Sequence, residues 1–478
     1  MVFSSYIFIC AFLPVVIIVY YLLSGLSSEK WQKGFLVLAS LFFYGYYNTS
    51  YLLLIIGSIA VNYILALFIK NSGEQHSERK KNAALVCGIL FNVALIGYFK
   101  YYDFFVDNIN HIFGTDFVLK NILLPLGISF FTFQQLSFLI SVYKEEESVG
   151  NLLDYSVFVT FFPQLVAGPI VLYSEMIPQF KEKSRRFFNS QSFARGIYFF
   201  TIGLFKKAVL ADSLAVFADN GYMVGDLGLL ASWTTAVAYT LQIYFDFSGY
   251  SDMAIGLGWM FNIEIPFNFL SPYKSRSISE FWRKWHITLG RALSMYIYKP
   301  LGGNKKGLFN TCINLMITFL ISGLWHGAAW TFVVWGALHG AFVVIERIFG
   351  ELLDKIPDAI RIFLTFIIVN FLWVLFRANS FDQAMQIWTG MFNITDIRAY
   401  QLAQIASDGI INFPNSVEYL YAGVLLAVLL FIVFFAKNSA EKVQVWMSGQ
   451  KYAVLAALLF VVSMIAVGRN SVFIYFNF

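Results

Sequence analysis

His326 lies in Ile321-Ser322-Gly323-Leu324-Trp325-His326-Gly327-Ala328-Ala329-Trp330, between two apolar runs. Each run is long enough to enter a bilayer. An ionisable ring at membrane depth is costly and normally has a function. Imidazole can take up and return a proton near neutral pH, so His326 reads as a functional residue. The bland alternative is a core histidine satisfied by a nearby carbonyl or hydroxyl. Upstream, His286 ends a basic aromatic segment, Phe281-Trp282-Arg283-Lys284-Trp285-His286. Alone it reads more readily as an interfacial anchor; beside His326 it becomes a candidate partner. His339 follows 13 positions after His326. At about 100° per residue the two rings would not share a face of one straight helix, so His339 reads as structural. His76 and His111 fall in loops.

Residues 274–306 hold Lys274, Arg276, Arg283, Lys284, Arg291, Lys299, Lys305 and Lys306 against one acid, Glu280. Ser277-Ile278-Ser279-Glu280 is a capping-box pattern that predicts a helix start. Glu280 and Lys284 have the favourable four-residue spacing. Trp282, Trp285 and Leu289 would share one face, as in an amphipathic helix at the cytoplasmic surface. Such a helix could simply rest on anionic lipid. It could also hold the phosphates of an anionic donor, with Arg283, Lys284 and Trp285 as the donor-binding residues. Pro300-Leu301-Gly302-Gly303-Asn304 reads as the closing turn.

Asp246 and Asp252 occupy an apolar stretch, Gln242-Ile243-Tyr244-Phe245-Asp246-Phe247-Ser248-Gly249-Tyr250-Ser251-Asp252. They read as caps at a helix interruption near Gly249, with cavity lining as the alternative. No nucleotide-binding glycine loop, nucleophile elbow or metal motif is present in the sequence. Cys10, Cys87 and Cys312 lie in or beside apolar runs and read as packing residues.

The elements that must carry these residues are membrane helices. Of 478 residues, 59% are hydrophobic and 13% charged, against about 25% charged in soluble domains. The net charge of +5 gives no nucleic-acid signal. Candidate spans lie near 5–24, 33–48, 51–70, 82–102, 121–143, 193–218, 228–247, 308–324, 328–346, 360–376, 419–436 and 452–468. Residues 155–175 and 250–263 look too broken to span, and Gln164, Gly168 and Pro169 suggest a re-entrant element. The expected fold is an all-α polytopic membrane protein of about 11–13 transmembrane helices, in one domain over residues 1–478. The first run reads as a retained helix rather than a cleaved signal. Basic loops at 30–33, 79–81, 181–186 and 437–451 alternate with acidic or uncharged ones, which predicts both termini outside the cytoplasm.

These fragments resemble the membrane-bound O-acyltransferases, in the bacterial branch that includes the alginate O-acetylation membrane protein. The likeness is carried by Met1-Val2-Phe3-Ser4-Ser5, by Phe162-Pro163-Gln164-Leu165-Val166-Ala167-Gly168-Pro169-Ile170 and by Tyr244 to Asp252. The most specific pieces are Glu280 to His286 and Gly323-Leu324-Trp325-His326-Gly327. The resemblance implies a ring of helices around a thin centre, with funnels from both sides meeting at the histidine. It implies His326 as the catalytic residue, His286 as its partner, acetyl-CoA as donor substrate and no permanently bound cofactor. It implies an extracytoplasmic glycan acceptor, reached through an SGNH or esterase-like periplasmic transferase, and a place in the bacterial inner membrane. One departure weakens alginate as the polymer. Where alginate-type members carry an Arg-Asp pair before a Tyr, this chain has Ser294-Met295-Tyr296. The competing readings are D-alanyl transfer to teichoic acid, a proton-coupled transporter and an export scaffold.

Overall fold

The computed structural model describes residues 1–26, 28–398, 400–406, 415–444, 450–468 and 473–474. Among them every regular element is helical. Among the described residues, six helices are long and apolar enough to cross a membrane: Phe8–Gly25, Ser50–Glu74, Glu78–Phe113, Gly307–His326, Trp330–Leu353 and Asp358–Arg377. Shorter apolar helices cover Ile128–Tyr143, Tyr421–Phe435 and Lys451–Ala466. The chain is a polytopic, all-helical membrane protein.

Fewer helices qualify as independent spans than the apolar runs suggested. The 193–218 run divides into helices Ser190–Phe205 and Asp212–Met223 with a wider turn, Lys206–Ala211, between them. The 33–48 run is the 16-residue helix Lys30–Gly45. Cys10 and Cys87 are exposed rather than packed, and all three cysteines are free.

Residue contacts group the chain into two compact units. The first holds Met1–Phe200 and Met253–Pro266. Its helices are joined by polar contacts that lipid cannot supply. Asn62 and Asn92 exchange side-chain amide bonds at 3.3 and 2.6 Å between Ser50–Glu74 and Glu78–Ile96. Lys33 meets the buried Asp154 at 2.7 Å. The 155–175 stretch is broken as expected, into Leu152–Thr160, Phe162–Leu165 and an irregular buried run before Tyr173–Lys181.

The second unit holds Thr201–Asp252 and Phe267–Phe478. Its centre is a hairpin of Gly307–His326 and Trp330–Leu353. A Cβ on Gly323 would stand 2.4 Å from the Phe332 carbonyl oxygen, and one on Gly336 would stand 2.4 Å from that of Phe319. Only glycine at these positions lets the two backbones approach so closely.

The expected interruption at Gly249 does not occur. Helix Leu229–Met260 runs through it for 32 residues. Asp246 and Asp252 are therefore mid-helix ion-pair partners, not caps. Asp246 meets Lys207 at 3.0 Å, and Asp252 meets Lys206 at 2.6 Å. A Cβ on Gly249 would lie 2.8 Å from the Gly203 carbonyl oxygen, so that glycine serves close helix approach.

Removing one member of a buried pair leaves the other charge uncompensated. Asp154 keeps Lys181 at 3.6 Å when Lys33 is lost, so Lys33→Ala is expected to destabilise the first unit by about 1–3 kcal/mol, while Lys33→Met with Asp154→Leu recovers part of that loss. Thermal unfolding in detergent measures the difference.

Candidate active site

The region expected to be one amphipathic helix is two seven-residue helices, Ile278–Lys284 and Ile287–Leu293. Ser277 caps the first, its hydroxyl accepting the Glu280 N–H at 3.0 Å. The predicted Glu280–Lys284 pair forms at 2.7 Å. The break falls at His286, whose φ of 46° is left-handed, a conformation costly for a residue with a Cβ.

Asn268 holds that break. Its backbone carbonyl accepts the Ile287 N–H at 3.1 Å. Its side-chain oxygen accepts the Thr288 N–H at 3.1 Å and the Thr288 hydroxyl at 2.9 Å. The same oxygen is 3.3 Å from His286 Nδ1. A backbone N–H can only donate, so the Asn268 atom it meets must be the carbonyl oxygen. An oxygen acceptor in turn requires a proton on His286 Nδ1. The neutral ring then carries its lone pair on Nε2.

His326 is fixed by the same logic. The helix Gly307–His326 ends at this residue; Gly327 is extended and begins the connection to the next helix. His326 Nδ1 lies 2.6 Å from the Ser322 carbonyl oxygen. That oxygen can only accept, so Nδ1 is protonated and Nε2 is the basic atom. Trp335 and Phe376 meet the ring edge-on at centroid distances of 5.0 and 5.4 Å.

His339 is the third ring. The hairpin reverses the chain after His326, so both histidines pack on Trp335 despite their spacing; His339 lies 4.8 Å from it. Here the roles are opposite. The Trp282 indole N–H donates to His339 Nδ1 at 3.1 Å. Nδ1 must accept, so the neutral ring carries its proton on Nε2.

His286 is fully buried and His326 is 2% exposed. His286 lies outside the candidate spans. Burial holds its imidazole well below the usual range, and charge on His326 lowers it further. Several polar atoms nearby are buried with no hydrogen-bond partner among the described residues. They include Ser322 Oγ, Thr331 Oγ1, Trp335 Nε1 and His339 Nε2. Leaving such a group unsatisfied costs about 1–3 kcal/mol, and native structures keep few of them without a reason.

A cavity of about 1010 Å³ opens beside this cluster. Its walls include Trp282, Phe319 and Ser322, and its rim carries Arg276, Arg283, Arg291, Arg347 and Arg361. Arg361 is paired with Asp354 at 2.9 Å, and Arg276 with Asp358 at 3.2 Å. Arg283 and Arg347 are exposed and have no carboxylate partner among the described residues. Glu346 fastens one wall: it accepts from the Ile278 N–H, and from the Ser279 N–H and hydroxyl at 2.8 and 2.7 Å. Ser322 links cavity and histidine, since its backbone carbonyl holds the His326 ring.

Of the three expected donor residues, only Arg283 lines the cavity. Lys284 is turned to Glu280. Trp285 is fully buried, stacked on Phe281 at 5.5 Å and against Trp373 at 5.0 Å; it is part of the aromatic core. Sequence reasoning missed Asn268, Glu346 and Arg347. Asn268 was detectable as a lone polar residue in Ile265-Pro266-Phe267-Asn268-Phe269. Arg347 falls one residue past the candidate span 328–346. No cluster of potential metal ligands occurs among the described residues.

Residues 41–381 match the family described as MBOAT, membrane-bound O-acyltransferase family. The chain belongs to the membrane-bound O-acyltransferases. It is therefore an acyltransferase. It is 40% identical to a peptidoglycan O-acetyltransferase of Helicobacter pylori, over 100% of this chain and 98% of that protein. It is 40% identical to a probable alginate O-acetylase of Pseudomonas aeruginosa, over 91% of this chain and 81% of the relative. A teichoic acid D-alanyltransferase of Bacillus subtilis shares 25% identity over 48% of this chain and 61% of the relative. This membership removes the transporter and scaffold readings.

Two outcomes follow for the break at His286. Asn268→Ala removes the acceptor shared by the Thr288 N–H and hydroxyl and is expected to cost about 1–3 kcal/mol in thermal unfolding. The buried neutral ring also sets a pH dependence. The unfolded imidazole binds a proton near pH 6.5, whereas the folded one resists it. Stability is thus complete above about pH 6.5 and falls below it, by at most about 1.4 kcal/mol per pH unit. His286→Gln should flatten this slope, read from melting temperatures across pH 5–8.

Proposed function

We propose that this protein takes an acetyl group from a cytoplasmic thioester, acetyl-CoA, and passes it across the membrane for O-acetylation of an extracytoplasmic polysaccharide. The observation that carries the reading is the cavity. An arginine-rimmed volume of about 1010 Å³ shares Ser322 with the ring of His326. Unpaired Arg283 and Arg347 suit an anionic, phosphate-bearing donor, and the apolar inner wall suits the pantetheine arm and thioester.

His326 Nε2 acts as general base on the acceptor hydroxyl. Such assistance contributes about 10²–10⁴-fold. His286 Nε2 shares or orients that charge, held by Asn268. The polymer acetylated in the end is peptidoglycan or an exopolysaccharide such as alginate. The full-length match to the Helicobacter pylori protein supports peptidoglycan, and the Ser294-Met295 departure also points away from alginate. A periplasmic SGNH or esterase-like transferase receives the acetyl group and completes the transfer. The reading puts the protein in the inner membrane, and the distribution of its loop charges supports both termini outside the cytoplasm.

The D-alanyl reading has less support, since that likeness covers under half of this chain. Cell-wall fragments decide between them by mass: deletion of the gene should remove acetyl groups, not alanyl groups. Complementation with His326→Ala should give normal membrane levels and no acetylation. Complementation with Arg283→Ala and Arg347→Ala together should raise the KM for acetyl-CoA and leave kcat within about tenfold of wild type. Acetylation restored by His326→Ala would end the proposal.

A further inference from the structure

We propose that His339 is a second catalytic histidine, whose Nε2–H donates to the acyl oxygen as it becomes an oxyanion. This rests on the acyl-transfer reading above and assigns that site the one part a general base cannot supply.

The tautomers separate the histidines by role. Partners that can only accept fix the proton of His286 and His326 on Nδ1, which makes Nε2 basic in each. The Trp282 N–H fixes the opposite arrangement in His339. His339 is therefore the histidine whose Nε2 is a donor in the neutral state. That donor has no partner among the described residues, although the ring is fully buried. Its surroundings are aromatic: Trp282 at 5.1 Å, Trp335 at 4.8 Å, and Phe281 and Phe319 at 6.4 Å. A hydrocarbon side chain would fill such a box without an orphaned N–H. The Trp335 indole N–H is likewise buried and unpartnered, and its ring lies between His326 and His339. Two N–H donors beside a basic imidazole, in a water-poor site, form the set that acyl transfer requires. Trp282 is also a cavity wall residue, so the group that sets the His339 proton is one the donor touches.

The acceptor hydroxyl oxygen bonds to the thioester carbon while its proton passes to His326 Nε2. The carbonyl π pair moves onto oxygen, which receives hydrogen bonds from His339 Nε2 and Trp335 Nε1. The C=O bond re-forms, the C–S bond breaks, and the thiolate leaves with the proton from His326. Trp282 is a positioning residue in this scheme.

The test uses purified full-length protein with acetyl-CoA, following thiol release with and without soluble peptidoglycan glycan fragments. His339→Gln retains an amide N–H near the Nε2 position and should keep kcat within about tenfold of wild type. His339→Met fills the box without a donor and should lower kcat by about 10²–10³-fold with KM for acetyl-CoA unchanged. Trp282→Phe frees the tautomer and should lower kcat at saturating acetyl-CoA, whatever its effect on KM as a cavity wall residue; it carries the test alone where His339→Met does not insert. Equal kcat for the Gln and Met variants, or unchanged kcat in Trp282→Phe, overturns the role of His339 and leaves the acyl-transfer reading standing. Absence of any thiol release by wild type overturns the donor assignment itself.

Discussion

The site depends on a single constraint: in a buried aromatic setting, the group that meets Nδ1 decides which ring nitrogen of each histidine carries the proton. The Ser322 carbonyl cannot donate, so it fixes the proton of His326 on Nδ1. Everything chemical follows from that placement. Nε2 becomes the base, and the helix end at Gly327 keeps the ring from being enclosed by a further turn. A freely rotating hydroxyl in place of the carbonyl would accept or donate, and the ring would exist in two tautomers. A helix carbonyl four residues back removes that freedom.

Fixing the ring in turn requires the hairpin. Gly323 and Gly336 bring the two helices to backbone contact, and Trp335 then reaches both histidines. A larger residue at either glycine would separate the backbones and move the Trp335 ring away from at least one of them. The short helix Ile278–Lys284 is tied to the same hairpin at two points, by Glu346 at its start and by Trp282 near its end. The cavity wall and the catalytic rings therefore share one rigid support, which is what positioning catalysis demands.

Much of this was legible in the chain. His326 announced itself by cost alone, an ionisable residue in apolar surroundings. Ser277 and Glu280 marked a helix start that the structure keeps. Other parts were not legible, for physical reasons. Helical spacing counts residues along one straight axis, so it separated His326 from His339; a chain reversal at Gly327 put them on the same indole. The amphipathic pattern of Trp282, Trp285 and Leu289 presumed an unbroken helix, and nothing local requires His286 to adopt φ 46°. That break is imposed from Asn268, a residue 18 positions away. Asp246 and Asp252 beside Gly249 looked like an interruption because their lysine partners lie on a different part of the chain.

The same distinction explains how the polar residues of the second unit divide. Lys206, Lys207, Asp246 and Asp252 are buried or nearly so, yet each meets an opposite charge within 3.0 Å. Their cost is compensated internally, and they need no ligand to account for them. The atoms around His326 differ. Ser322 Oγ, Trp335 Nε1 and His339 Nε2 are neutral, buried and uncompensated. Neutral donors left unpaired in a dry site cost less than an unpaired charge would, and they gain strongly when a charge develops nearby. A paired ion has already made that interaction in the resting protein. Charge pairs therefore read as scaffold in this molecule, and orphaned neutral donors read as the places where the reaction's own charge is received.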